Sequence, residues 1–141
     1  MREYYAQDGY TFVDSEARAA ALMLINDQSL GRLWVTREGN VVVGYVAVAL
    51  GFSFEYRGRE AFVDELLIAE SHRGRGLGRE ALEIAEAWCR EVGVNALHLE
   101  VERHRESALE LYRRRGFADL GRYLMTKWVA ATKPAPRPGE G

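Results

Sequence analysis

A chain of 141 residues, 48% hydrophobic and 28% charged, suits one soluble globular domain built around a single core. Nineteen basic residues against 21 acidic ones leave a net charge of −2, so nothing global points to nucleic acid or an anionic membrane as partner. The single cysteine, Cys89, excludes an intrachain disulfide and a multi-cysteine zinc site, and it fits a cytoplasmic protein. Apolar runs such as "VVVGYVAVAL" are too short to cross a bilayer, and "MREYYAQDGY" carries no hydrophobic signal region.

In chain order, "DSEARAAALMLIND", from Asp14 to Asp27, predicts a helix with apolar residues at 17, 20, 21, 24 and 25. Asp14 or Ser15 would cap it, with Glu16 in the first turn. "GRLWVTREGNVVVGYVAVALGFSFEY" reads as two strands turning at Glu38-Gly39-Asn40, and "YRGRE" turns into a third strand, "AFVDELLIA". Leu77, Ala81, Ile84, Ala85, Trp88 and Val92 recur at helical spacing, and Gly93 ends that helix. "NALHLEV" follows as a short buried strand, "ESALELYRRR" as a helix stopped by Gly116, and "RYLMTKWV" as a last strand. The tail "KPAPRPGEG" is expected to be disordered. This order predicts an α/β fold, a mixed, mostly antiparallel sheet with helices on its faces, in one domain over 1–129 followed by a tail over 130–141.

The chemistry concentrates in "HRGRGLGREAL", between the third strand and the helix that begins near Leu77. The first N–H groups of a helix lack internal partners, and the helix dipole makes that end positive. Gly74, Gly76 and Gly78 let the backbone approach an anion, while Arg73, Arg75 and Arg79 add charged donors. A Walker loop would need Gly-Lys-Ser/Thr, where this chain has Gly78-Arg79-Glu80, and a dinucleotide fingerprint would need glycine at 79. Neither pattern fits.

Arg73 to Gly78, Arg-x-x-Gly-x-Gly, does resemble the pyrophosphate loop of the Gcn5-related N-acetyltransferases, the GNAT family. "RESALELYRRRGF", Arg105 to Phe117, is similar to that family's later motif, Asn-x-x-Ala-x-x-x-Tyr-x-x-x-Gly-Phe. The resemblance runs from about Gly31 to Val129 and implies the GNAT fold, an acetyl-coenzyme A cosubstrate, no metal, and direct attack by an amine in a ternary complex. It implies that Leu66, Leu67 and Ile68 pair through their backbone with the pantetheine arm, Leu67 N–H being the expected oxyanion donor. The pyrophosphate would lie on Arg73, Gly74, Arg75, Gly76, Leu77, Gly78 and Arg79. Arg105 stands where the family carries asparagine and is expected to contact the cofactor.

Tyr112 matches the motif tyrosine and is the expected general acid for the departing thiolate, although an aromatic on a short helix can equally be there to pack. The longer stretch "GYVAVALGFSFEYRGREAFVDELLI" resembles the polyamine and small-amine branch, where an acidic pair supplies the base. That favours Asp64, with Glu65 and Glu100 as competitors; in an unbroken strand Asp64 and Glu65 would point to opposite faces. His72, His98 and His104 show no metal spacing and no acidic companion, so each is expected in a surface or loop role. Cys89 is expected in the core. Tyr4, Tyr5, Tyr10 and Phe12 could line the acceptor pocket. No strand of the family's opening form precedes them, and a sheet lacking its first strand would expose an edge and favour a homodimer. The expected activity is acetylation of a small-molecule amine, with protein N-terminal or lysine acetylation, or silent acyl-coenzyme A binding, as the alternatives.

Overall fold

The computed structural model describes residues 14–131. Within them run α1 (Asp14–Asn26), β1 (Gly31–Glu38), β2 (Val41–Ser53), β3 (Gly58–Ile68), α2 (Leu77–Glu91), β4 (Ala96–Leu99) and α3 (Glu106–Arg114). The strands make one sheet in the order β1-β2-β3-β4. The first two pairings are antiparallel, and β3 with β4 is parallel. A parallel pair needs a crossover, and α2 is that crossover.

The β1–β2 hairpin closes with Glu38 opposite Val41, so Gly39 and Asn40 form the loop and Gly39 takes φ +61°. A positive φ at the first loop position is what a tight hairpin that matches strand twist demands. The core sits between the sheet and α2. Val46, Val48, Ala61 and Val63 meet Ala81, Leu82, Ala85, Trp88 and Cys89, which form one stripe along the helix. Trp88 meets Trp34 of β1 edge to face, with centroids 5.4 Å apart. Burial pushes the Cys89 thiol above its ordinary pKa. A small buried core side chain is what was expected of it. On the opposite face of the sheet Val43, Tyr45, Ala47 and Leu67 are also buried.

Several expectations are corrected. α1 half-buries only Ala17, Ala21 and Leu24 of its apolar residues, while Ala20 and Ile25 face solvent. β4 is half-buried rather than buried. No strand follows β4 among the described residues, so "RYLMTKWV" is not one. Alternating apolar residues supply a face but not a ladder, and without a partner strand they stay in solvent: Tyr123, Met125 and Val129 are 87%, 90% and 88% exposed. The segment is tied down instead by Arg122, whose guanidinium donates to both carboxylate oxygens of Glu55 at 2.7 and 2.8 Å. That hydrogen bonding holds the Glu55 carboxyl below its ordinary pKa. Residues 1–13, with the tyrosine cluster and the question of a first strand, lie outside the described residues, as does the tail beyond 131 and the capping role of Asp14 and Ser15.

Candidate active site

β3 and β4 pair from Glu60 with Ala96 to Val63 with Leu99, and no further. Beyond those residues the two strands part, and Asp64 to Ile68 of β3 run along the opening. The same point carries a β-bulge. Val48 of β2 faces Val63 and Ala47 faces Glu65, so Asp64 is the extra residue of the bulge in β3. Ala61, Val63 and Leu66 all pack toward α2, which shows the side-chain alternation changing parity across Asp64. The rule that separates neighbouring strand residues onto opposite faces therefore fails for Asp64 and Glu65. Asp64 is exposed. Glu65 is half-buried, and its Oε2 accepts a hydrogen bond from the hydroxyl of buried Tyr45 at 2.5 Å.

Past the bulge, Leu66, Leu67 and Ile68 complete β3. Ala69 N–H donates to Val43 O at 2.7 Å. Hydrogen-bonded pairs alternate along an antiparallel ladder, so the next is Leu67 with Tyr45, and the Leu67 N–H is turned toward β2. Leu66 and Ile68 present their backbone groups to the opening. This moves the expected oxyanion donor from Leu67 to a neighbour. Consistent with it, Ile68 O accepts from Arg73 Nε at 2.9 Å, away from β2. Arg73 thus pins the start of the glycine loop to the end of β3.

After a short 3-10 turn over Glu70–His72 the chain enters the loop. Gly74 and Gly76 take φ +78° and +81°, a region L side chains avoid. A Cβ at Gly74 would meet nothing within 4 Å, and one at Gly76 only the Arg79 guanidinium, so the loop is open where an anion would sit. Gly76 caps α2 without a side chain, and the first helical hydrogen bond is Glu80 N–H to Gly76 O at 3.0 Å. The N–H groups of Leu77, Gly78 and Arg79 precede it and have no acceptor within the helix. Three such donors with positive dipole and arginines beside them suit a pyrophosphate. The arginines are balanced by carboxylates: Arg75 lies 3.6 Å from Glu38, and Arg79 lies 3.8 Å from Glu83.

Tyr112 stands on α3, half-buried against the core beside Leu111 and edge to face with Phe117 at 6.0 Å. Burial pushes its hydroxyl above the ordinary pKa, while the nearby charge of Arg105 pulls the other way. The tyrosine both packs and stays protonated. Arg115 locks α3 onto the glycine-loop helix through Glu86 at 2.9 Å and Glu83 at 3.5 Å. Arg105 precedes α3 and lies 3.7 Å from Glu102. With Arg114 on Glu110 as well, Arg105, Arg114 and Arg115 each lie on a carboxylate of the chain itself.

The histidines correct a second expectation, for each has an acidic companion. His72 contacts Glu38, His104 lies 3.1 Å from Glu102, and His98 lies 3.0 Å from Glu60. His98, one residue short of the opening, has a more specific setting than the surface or loop role expected of it. Its partner lies 38 residues upstream and comes beside it only because β3 and β4 are parallel neighbours. The alternation of Leu97 and Leu99 toward the core was the available signal that His98 and Glu100 share the other face.

The whole arrangement has close counterparts. The family model for the "Acetyltransferase (GNAT) family" matches residues 1–117. An IAA acetyltransferase of Azospirillum brasilense is 34% identical over 90 residues, 64% of this chain and 56% of that protein. A streptothricin acetyltransferase of Streptomyces lavendulae is 34% identical over 80 residues, 57% of this chain and 40% of that one. The chain therefore aligns with about half the length of these curated relatives. Among solved structures, an integron cassette protein from the mobile metagenome of Cole Harbour Salt Marsh superposes with a TM-score of 0.82, at 35% identity over 92% of this chain and 80% of its own. The fold alone is shared with AAC(6′)-Iy bound to a bisubstrate analogue of coenzyme A, at a TM-score of 0.75 and 12% identity, covering 88% of this chain and 86% of that one. Sequence match and shape agree, and the chain belongs to the GNAT family of acetyltransferases.

Proposed function

We propose that this protein transfers the acetyl group of acetyl-coenzyme A to a primary amine of a small molecule, by direct attack in a ternary complex in the cytoplasm. The observation that carries the reading is the open glycine loop, its left-handed residues and orphan N–H groups facing one space at the end of β3. Leu77, Gly78 and Arg79 N–H, with Arg73, Arg75 and Arg79, hold the pyrophosphate, and Arg105 reaches the cofactor from α3. Bound there, the cosubstrate supplies an activated acetyl thioester.

The chain's own residues do the rest. Leu66 and Ile68 hold the pantetheine arm along the free side of β3, and an N–H of this pair polarises the thioester carbonyl. Asp64, on the bulge, takes the amine's proton, directly or through water, with Glu65 and Glu100 flanking it. Tyr112 returns a proton to the departing sulfur. Acidic groups at 60, 64 and 65 support a cationic acceptor of the kind the polyamine and small-amine branch uses, and relatives named for IAA and streptothricin acetylation support a small molecule.

An amine panel with acetyl-coenzyme A, following released thiol, tests the assignment with spermidine, lysine, aminoglycosides and peptides. Turnover of a small amine is expected. Turnover of peptides alone would assign protein acetylation, and thermal stabilisation by coenzyme A without turnover on any amine would leave a binding module. We further propose a homodimer, supported by the exposed Leu120, Tyr123, Leu124, Met125 and Val129 past α3. Sedimentation at micromolar concentration is expected to give twice the chain mass, and a monomer would overturn it.

A further inference from the structure

The pairing of β3 with β4 builds an imidazole–carboxylate dyad beside the opening. His98 stands opposite Phe62, two residues before the bulge at Asp64, a separation of about 7 Å at the rise of a strand. Its ring is clamped between Tyr56 and Phe62, each with its centroid 4.9 Å away. Its Nε2 meets Glu60 Oε2 at 3.0 Å. A carboxylate only accepts, so Nε2 carries the proton and Nδ1 keeps the lone pair. The side chains of His98 and Glu60 are 22% and 20% exposed, so the ring is held in place yet reachable by water. This is the geometry by which a carboxylate fixes the tautomer of a base and steadies its protonated form.

We propose that His98, oriented by Glu60, is the proton acceptor for the ammonium form of the acceptor, acting through water on the face of the sheet opposite α2. The inference rests on the acetyltransferase reading above and assigns the proton a final destination. The ammonium N–H bond breaks and an Nδ1–H bond forms, while the electron pair stays on the amine nitrogen that attacks. The imidazolium then gives its proton to solvent.

An imidazole suits that destination better than a carboxylate, because it exchanges protons readily around neutrality. General bases work best with a pKa close to the working pH. Asp64 then relays the amine's proton toward water, and His98 is its sink. Glu60 from β3, Glu100 just past the end of β4, and Tyr56 and Glu55 from the β2–β3 turn are the titratable groups toward the ring, with Arg122 neutralising Glu55.

The test is kcat/KM against pH for the wild type, His98→Gln and Glu60→Gln, on an amine the wild type acetylates, with coenzyme A thermal stabilisation measured on each. His98→Gln is expected to lose about 100-fold at neutral pH, and to regain most of it above the pKa of the amine, where the nucleophile already arrives neutral. Glu60→Gln, a positioning change, is expected to lose about tenfold and to move the acid limb of the profile. Stabilisation by coenzyme A should match the wild type in both. An unchanged His98→Gln profile, or a defect of the same size at every pH, overturns the proposal while leaving the acetyltransferase reading intact. A wild type that acetylates no amine on the panel overturns both.

Discussion

Tyr112→Phe is expected to lower kcat by about 100- to 1,000-fold with little change in melting temperature, because general acids contribute on that scale and the ring is retained. The hydroxyl is the only group removed, so the edge contact with Phe117 and the packing beside Leu111 survive. Burial holds the hydroxyl protonated beyond its ordinary value of about 10, so the proton is present throughout the neutral range. The sign follows: if Tyr112 is the acid, activity falls only as pH rises through that elevated value, and the alkaline limb set by this group lies above the ordinary tyrosine range. Turnover unchanged in a folded Tyr112→Phe protein would reduce the residue to a core aromatic. Stopped-time thiol release across pH, with a thermal melt on the same sample, separates the two.

The second large effect belongs to the glycine loop. Gly76→Val is expected to weaken coenzyme A at least about 100-fold, since a β-branched residue at φ +81° is strained by about 1–3 kcal/mol and escapes by turning the loop away from the anion. Its Cβ would also stand 3.3 Å from the Arg79 guanidinium. Gly74→Val is expected to act in the same direction through φ +78° alone, because nothing lies within 4 Å of its Cβ. Gly78→Ala is the control: it too has open space, but its φ is not positive, and it sits in the first turn of α2. It should fold at least as well as the wild type. Calorimetric titration with coenzyme A reads all three, and equal affinity across them would mean that the backbone cradle is not the anion site.

How much of this was legible beforehand depended on the range of the interaction. Helices and turns written in local pattern were read correctly, since the stripe from Ala81 to Cys89 and the Gly39 turn need only near neighbours. The last strand was misread because "RYLMTKWV" contains its own alternation but not its partner, and pairing is a property of two segments. The site split the same way. The glycine loop is a contiguous signal, legible within one segment. His98 with Glu60, and Tyr45 with Glu65, are meetings across neighbouring strands over 38 and 20 residues, and no spacing rule within one segment announces them. The direction of the Leu67 N–H was hidden for a related reason, as only the register with Tyr45 decides it.

The bulge residue Asp64 has a bearing on how this protein could be rebuilt. Upstream of it, odd-numbered positions of β3 feed the helix-covered core; downstream, even-numbered ones do. Deleting Asp64 would remove the bulge and leave Leu66 and Leu67 on their present faces, because Glu65 opposite Ala47 would then follow Val63 opposite Val48 directly; drawing Asp64 into a regular ladder would instead send Leu67 inward in place of Leu66. A strand grafted in place of β3 therefore keeps its faces with one residue fewer at this point, but loses the bulge. Length, at this one position, is a functional parameter of the strand.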